Sequence, residues 1–155
     1  MSKGFSLIEI MIVIAVIALV VLVAAPLTGN WVSDAKRIEA EAQLTQAVGR
    51  AKAAALRNHM AATGESPVTA ICLSDSNLLT VLEGTAGAAP SCTSAAGTKL
   101  WQAQLHKGIS VKVDSNDFSC VCFNNKGLLT TSGSCSACAT TSNLSLDGED
   151  PLALH

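Results

Sequence analysis

Tyrosine is missing from this chain, and with three phenylalanines and two tryptophans the aromatic share is 3%. Whatever part folds as a globule builds only a modest core, one that gains from covalent crosslinks. Catalytic signatures are missing as well: there is no glycine-rich phosphate loop, no pair of catalytic carboxylates and no Ser/His/Asp arrangement. His59, His106 and His155 are scattered, without metal-ligand spacing or a neighbouring nucleophile. The sequence implies neither an enzyme nor a cofactor. Positive charge is scarce after Pro67, where Lys99, Lys107, Lys112 and Lys126 face a larger number of acids. Affinity for DNA comes largely from Lys and Arg at phosphates, so this balance argues against DNA as a partner. Asp147, Glu149 and Asp150 read as a solvated acidic tail rather than a calcium site.

What the chain has in quantity is hydrophobicity at its start. Behind Met-Ser-Lys-Gly, every side chain from Ile10 to Ala25 is apolar. With Phe5, Leu7, Ile8 and Leu27 the run reaches the roughly 20 residues a helix needs to cross a bilayer. A secretory signal peptide has a shorter apolar core of roughly 7–15 residues and then a small-residue cut site; here the core is too long and Ala24-Ala25-Pro26 is a poor site. A plain membrane anchor explains the length but not Glu9. A charged acid at a helix centre in lipid costs on the order of 2.5–3.5 kcal/mol. Near the end of a span the cost falls, yet the acid still asks for a positive partner at its own depth.

Gly4-Phe5-Ser6-Leu7-Ile8-Glu9 resembles the cleavage site of type IV prepilins and type II secretion pseudopilins, in which a dedicated peptidase cuts after the glycine and methylates the new amino terminus. The resemblance implies that Phe5 becomes the N-methylated first residue and that Glu9 stands where the family carries its acid. Pro26 falls where many pilins have a helix-distorting proline. Cleavage after Gly4 removes Lys3 and creates an amine on Phe5, and a nearby positive charge keeps Glu9 ionised in a low-dielectric setting. That amine belongs to the same chain or to a neighbour in a filament. Before assembly the helix is an anchor with Lys3 on the cytoplasmic side, as the positive-inside tendency expects. Pro26 and Gly29 weaken the helix, which predicts a kink or local loosening there.

Beyond Trp31 charges alternate, and Trp31, Ala35, Ile38, Ala42, Leu44, Val48, Ala51 and Ala55 recur at helical spacing, which predicts an amphipathic continuation ending near Asn58 or His59. Arg50, Lys52 and Arg57 read as a solvated helix face, with a basic face for DNA or an acidic partner as the alternative. Strands are expected at Val68–Leu73, Leu78–Leu82, Leu100–Leu105 and Ile109–Val113, with a hairpin of Ser119–Asn124 and Leu128–Thr131 across Asn125-Lys126-Gly127. Glu83–Gly97 reads as a small-residue loop. The order is then a leader over 1–4, a hydrophobic helix over 5–30, an amphipathic helix half over 31–59 and a β-rich head over 60–155. Gln43 to Asn58, Lys99-Leu100-Trp101-Gln102, Gly108-Ile109-Ser110-Val111 and Phe123-Asn124-Asn125-Lys126-Gly127 are similar, in order and spacing, to segments of the GspH/FimT/FimU family of minor pilins and pseudopilins. Gly49-Arg50-Ala51-Lys52 lacks that family's usual acid, and the cysteine-rich end is not a general family trait.

All six cysteines, Cys72, Cys92, Cys120, Cys122, Cys135 and Cys138, follow the apolar run and so lie on its exported side. In an oxidising compartment an even count reads as disulfides. A zinc site from Cys120, Cys122, Cys135 and Cys138 and a redox-active Cys135-x-x-Cys138 pair are the alternatives. Six cysteines permit fifteen pairings, and sequence alone does not choose among them. Strand geometry gives a preference: Cys120 and Cys122, two apart, face one side, which suits nested bonds to Cys138 and Cys135, leaving Cys72 for Cys92.

The expected fold is α+β, a long N-terminal helix packed on a mainly antiparallel β-sheet head. The resemblance implies a minor pilin of a type IV pilus that helps to prime or cap the filament tip. A type II secretion pseudopilin or a major pilin is the alternative, and a DNA-uptake receptor or an exported thiol enzyme ranks below both. It also implies the partners: other pilins, the prepilin peptidase, an inner-membrane assembly platform and, before assembly, membrane lipid. The expected location is the bacterial inner membrane with the head in the periplasm, then an extracellular pilus or a periplasmic pseudopilus.

Overall fold

Leu7 to Arg57 form one α-helix, α1, of 51 residues in the computed structural model, which describes residues 6–94, 96–114, 116–141, 143–146 and 152–153 and, within these, leaves out the side chains of 24–28, 30, 152 and 153. The helix runs without interruption through Pro26 and Gly29. Proline removes one backbone donor, and the long flanking helix on both sides sustains the rest. Asn58 ends α1. It takes a left-handed φ of 46°, a conformation that asparagine tolerates better than most residues. Its side-chain amide donates to the Ala62 carbonyl at 2.9 Å and its carbonyl accepts the Ala62 N–H at 2.8 Å.

The chain divides into two compact units, Met1–Lys36 and Arg37–His155. In the second unit α1 is followed by strands β1 (Pro67–Leu73), β2 (Leu78–Glu83), β3 (Thr98–Gln104), β4 (Val111–Val113), β5 (Asn116–Asp117) and β6 (Cys120–Asn124), a short 3-10 turn at Gly133–Cys135, and then β7 (Asn143–Leu146) and β8 (Leu152–Ala153). They make two antiparallel four-stranded sheets, ordered β3-β2-β1-β6 and β5-β4-β7-β8. The architecture is α+β and consistent with a pilin-like fold.

Ala40, Leu44, Ala47, Val48, Ala51 and Ala55 of α1 recur at intervals of three and four residues and enter one core with Ile71, Leu79, Val81, Phe123, Val111 and Leu144. Four of those six helix residues are alanine, so the backbone approaches the sheet closely. The Thr69 hydroxyl uses that proximity, donating to the Ala51 carbonyl at 3.1 Å in the buried interior. At the two edges of the larger sheet, aromatic side chains carry helix cations: the Arg50 guanidinium lies 5.5 Å from the Trp101 ring on β3, and the Lys52 ammonium 5.8 Å from the Phe123 ring on β6. Arg50 and Lys52 thus serve the fold, which the reading of a merely solvated face did not foresee.

The sequence placed the apolar stripe partly on the wrong face. Ile38 is 63% exposed and Ala42 is also exposed, while the unexpected Ala40 and Ala47 are buried. Around a helix with 3.6 residues per turn, Ile38 and Ala42 lie nearly opposite Leu44 and Ala51, so the segment has two apolar faces. The expected hairpin turns across Asn125-Lys126-Gly127, but its second strand is reduced to a single bridge between Phe123 and Leu129, flanked by the Asn124 N–H donating to the Leu128 carbonyl at 2.9 Å and the Thr130 N–H to the Cys122 carbonyl at 3.0 Å. Fully buried Asn124 also closes the turn, accepting the N–H groups of Lys126 at 3.0 Å and Leu128 at 3.1 Å on its side-chain oxygen. Strands β5, β7 and β8 were not anticipated. Asn143–Leu146 pairs with β4 and buries Leu144 and Leu146, a segment where no element was expected from the sequence.

Candidate functional site

Two places in the chain carry features beyond folding. The first is the start of α1. Leu7, Ile8, Met11, Ile14, Ile17, Leu19, Leu22 and Val23, which together point around the whole helix, are each between 56% and 78% exposed. Glu9 lies in the first turn, where an acid is favoured by the unpaired N–H groups of the helix end. Its own N–H donates to the Ser6 carbonyl at 3.0 Å. Among the described residues Glu9 has no ion-pair partner, and Gly4 and Phe5, the expected cleavage and methylation residues, lie outside the described residues. Pro26 is helical, and its side chain is likewise outside the description. Among the described residues no helix is long and apolar enough to cross a membrane.

The second place is the outer face of the larger sheet. Alternation along β1 and β6 sends Ile71, Val121 and Phe123 toward α1, and Ala70, Cys120 and Cys122 to the other side. There Cys120 is bonded to Cys138 and Cys122 to Cys135, while Cys72 is bonded to Cys92. No cysteine is free. Cys122 and Cys135 are buried to within 1% of full burial, and Ala70, fully buried, forms the floor beneath them. The 3-10 turn ends on Cys135 and the turn that follows carries Cys138: the Cys138 N–H donates to the Cys135 carbonyl at 3.0 Å, and the Ala139 N–H to the Cys120 carbonyl at 2.8 Å. Sulfurs of the two nested bonds touch, with Cys122 Sγ 3.7 Å from Cys138 Sγ.

The remaining polar groups assemble no reactive constellation among the described residues. His106 Nε2 meets Glu39 Oε2 at 2.9 Å, tying the loop after β3 to α1. His59 Nδ1 lies 3.6 Å from the buried Glu83 carboxylate. Each of these two histidines thus has one acid for a neighbour, with no nucleophile beside it among the described residues. A cavity of about 330 Å³ on the sheet's outer face is lined by Leu73, Leu78, Leu82, the Cys72–Cys92 bond and Lys99, and holds no acid–base pair. Sequence reasoning missed the roles of Asn58 and Asn124. The signal was available for Asn58, an asparagine closing an alanine-rich helix, and absent for Asn124, whose amide donates to Glu65, a partner that depends on tertiary placement.

The chain matches the prokaryotic N-terminal methylation motif over residues 1–25. No curated protein and no solved structure gave a significant match. The motif covers Gly4, Phe5 and Glu9 and opens directly onto the exposed apolar helix. That combination supports a type IV pilin-like prepilin.

Proposed function

We propose that this chain is a minor pilin of a type IV pilus, held in the bacterial inner membrane by its N-terminal helix and then packed through that helix into a filament, where it helps to prime or cap the tip. One observation carries the reading: α1 is apolar on all sides from Ile10 to Val23 and has its large side chains exposed there. A helix of that kind is stable only in lipid or among other helices. The sequence continues the run on both sides, from Phe5 to Leu27, which suffices for insertion. The second apolar face of α1 supports assembly too. Ile38, Ala42, Gly49, Ala53 and Leu56 share it, Leu56 is 62% exposed, and a side-chain carbon added at Gly49 would meet nothing within 4 Å. The similarity of the middle segments to minor pilins favours a rare subunit over an abundant one.

In this reading the prepilin peptidase cuts between Gly4 and Phe5 and methylates Phe5, and Glu9 pairs with the new amine on its own chain or on a neighbour. Replacement of Gly4 by a bulky residue keeps Lys3 attached and blocks assembly. Glu9→Ala leaves the protein cleaved and membrane-bound yet depleted from filaments by an order of magnitude or more. Immunoblots of membrane and sheared-filament fractions read both outcomes, and normal incorporation of Glu9→Ala refutes the charge pairing. Counting subunits in purified filaments separates the alternatives. A rare component is a minor pilin, a dominant one is a major pilin, and absence from surface filaments with presence in the periplasm indicates a pseudopilin.

A further inference from the structure

We propose that Cys120, Cys122, Cys135 and Cys138 form a tetrathiolate zinc site when their two disulfides are reduced, so that one cluster of sulfurs holds either a metal ion or two covalent bonds. The spacing brings a Cys-x-Cys pair on β6 against a Cys-x-x-Cys pair that starts at the end of the 3-10 turn. The Sγ atoms of Cys122, Cys135 and Cys138 all lie within 4.8 Å of one another. Cys120 Sγ joins them through its bond to Cys138. In a tetrahedral site with zinc–sulfur bonds of about 2.3 Å the sulfurs stand about 3.8 Å apart. Cys122 and Cys138 already do so, at 3.7 Å. Opening the two S–S bonds asks each bonded pair to separate by less than about 2 Å, a change within the reach of side-chain rotation.

The surroundings suit a metal. All four cysteines are at most 8% exposed, which excludes competing water. Ala70 beneath them is too small to fill the space the ion takes. The turn is held by its own backbone bonds, Ser136 N–H to the Gly133 carbonyl at 3.2 Å and Cys138 N–H to the Cys135 carbonyl at 3.0 Å, so it persists without the disulfides. The third bond, Cys72–Cys92, lies outside the group. Conversion balances: a dianionic zinc tetrathiolate yields Zn²⁺, two disulfides and four electrons, which two equivalents of an external disulfide accept together with four protons from solvent, each becoming two thiols. Zinc then holds β6 to the turn in the chain before oxidation, and oxidation expels it.

The test uses the full-length protein in detergent micelles, reduced with a trialkylphosphine, desalted under argon and titrated with Co²⁺. One Co²⁺ per chain is expected, with thiolate charge-transfer absorption in the near ultraviolet and tetrahedral ligand-field bands in the visible. One equivalent of Zn²⁺ displaces it and restores the head's resistance to protease. The Cys72→Ala/Cys92→Ala variant behaves in the same way, and Cys122→Ser loses at least tenfold in affinity. Two equivalents of a small-molecule disulfide release one zinc to a chromogenic chelator. An octahedral spectrum, indifference to Cys122→Ser, or tetrahedral binding without recovered protease resistance overturns the site.

Discussion

Removing the three disulfides in pairs of Cys→Ala substitutions tests how the head is stapled, because the bonds are not independent. Cys72–Cys92 closes a loop of 20 residues, Cys120–Cys138 one of 18 and Cys122–Cys135 one of 13. Chain entropy alone gives each, taken singly, about 3 kcal/mol. Cys122–Cys135 lies inside Cys120–Cys138, however, so once the inner bond exists the outer one closes only the short path 120–122 and 135–138. That path behaves as a loop of about six residues, and the outer bond then contributes about 2.2 kcal/mol. By the same reasoning loss of the inner bond alone costs about 1.9 kcal/mol, and loss of both about 5.1 kcal/mol. The pair therefore costs about 1 kcal/mol more to remove together than separately. The 3.7 Å contact between their sulfurs opposes this by only about 0.2 kcal/mol. Truncating buried cysteines adds its own cost, but that cost enters every leg of the double-mutant cycle and cancels. Guanidinium unfolding of the full chain in detergent, followed by tryptophan fluorescence, gives the four stabilities. Additivity within about 0.3 kcal/mol refutes the nested-loop reasoning.

The two cation–aromatic contacts give a second prediction: Arg50→Ala and Lys52→Ala each lower stability by about 0.5–1 kcal/mol, and Arg50→Ala loses its effect in a Trp101→Leu background. Denaturation midpoints of the four variants check it. Thr69→Val, which removes the hydroxyl from the buried bond to Ala51, costs about 1–2 kcal/mol without altering far-ultraviolet circular dichroism. At the helix end, Asn58→Ala costs about 1–2 kcal/mol through the left-handed φ and the two bonds to Ala62. Asn58→Gly costs less, because glycine adopts that φ without strain. Thermal melts of both variants rank them.

The sequence carried the long helix and its end, the first three strands to within two residues, and β6, because each stands on hydrophobic periodicity of its own. Its failures share a cause. The stripe Ile38–Ala42 has helical spacing as good as that of Leu44–Ala51, and only the presence of the sheet decides which face is covered. β7 is four residues long and polar at its first position, so its partner β4 makes it a strand rather than its own pattern. The Leu128 segment had a strand's composition and keeps two backbone bonds to β6, but its pairing stops at a single bridge. For the candidate site, the methylation motif was legible outright, since it is a linear signal. The disulfide preference drew on one local fact, that Cys120 and Cys122 share a face. The contact between sulfurs of different bonds is tertiary and had no trace in the sequence.

That shared face has a consequence for how the head reaches its fold. Along β1, Thr69 and Ile71 point to the helix and Ala70 and Cys72 point to the sulfur side; along β6, Val121 and Phe123 oppose Cys120 and Cys122 in the same way. A slip of either strand by one residue exchanges the two sets. Cysteines then face the alanine-lined helix, and bulky side chains stand where the bonds must close over Ala70. A misregistered chain is thus left with thiols that find no partner, while the correct register pairs every sulfur. Bond closure becomes a proofreading step, locking in only chains whose sheet is already aligned.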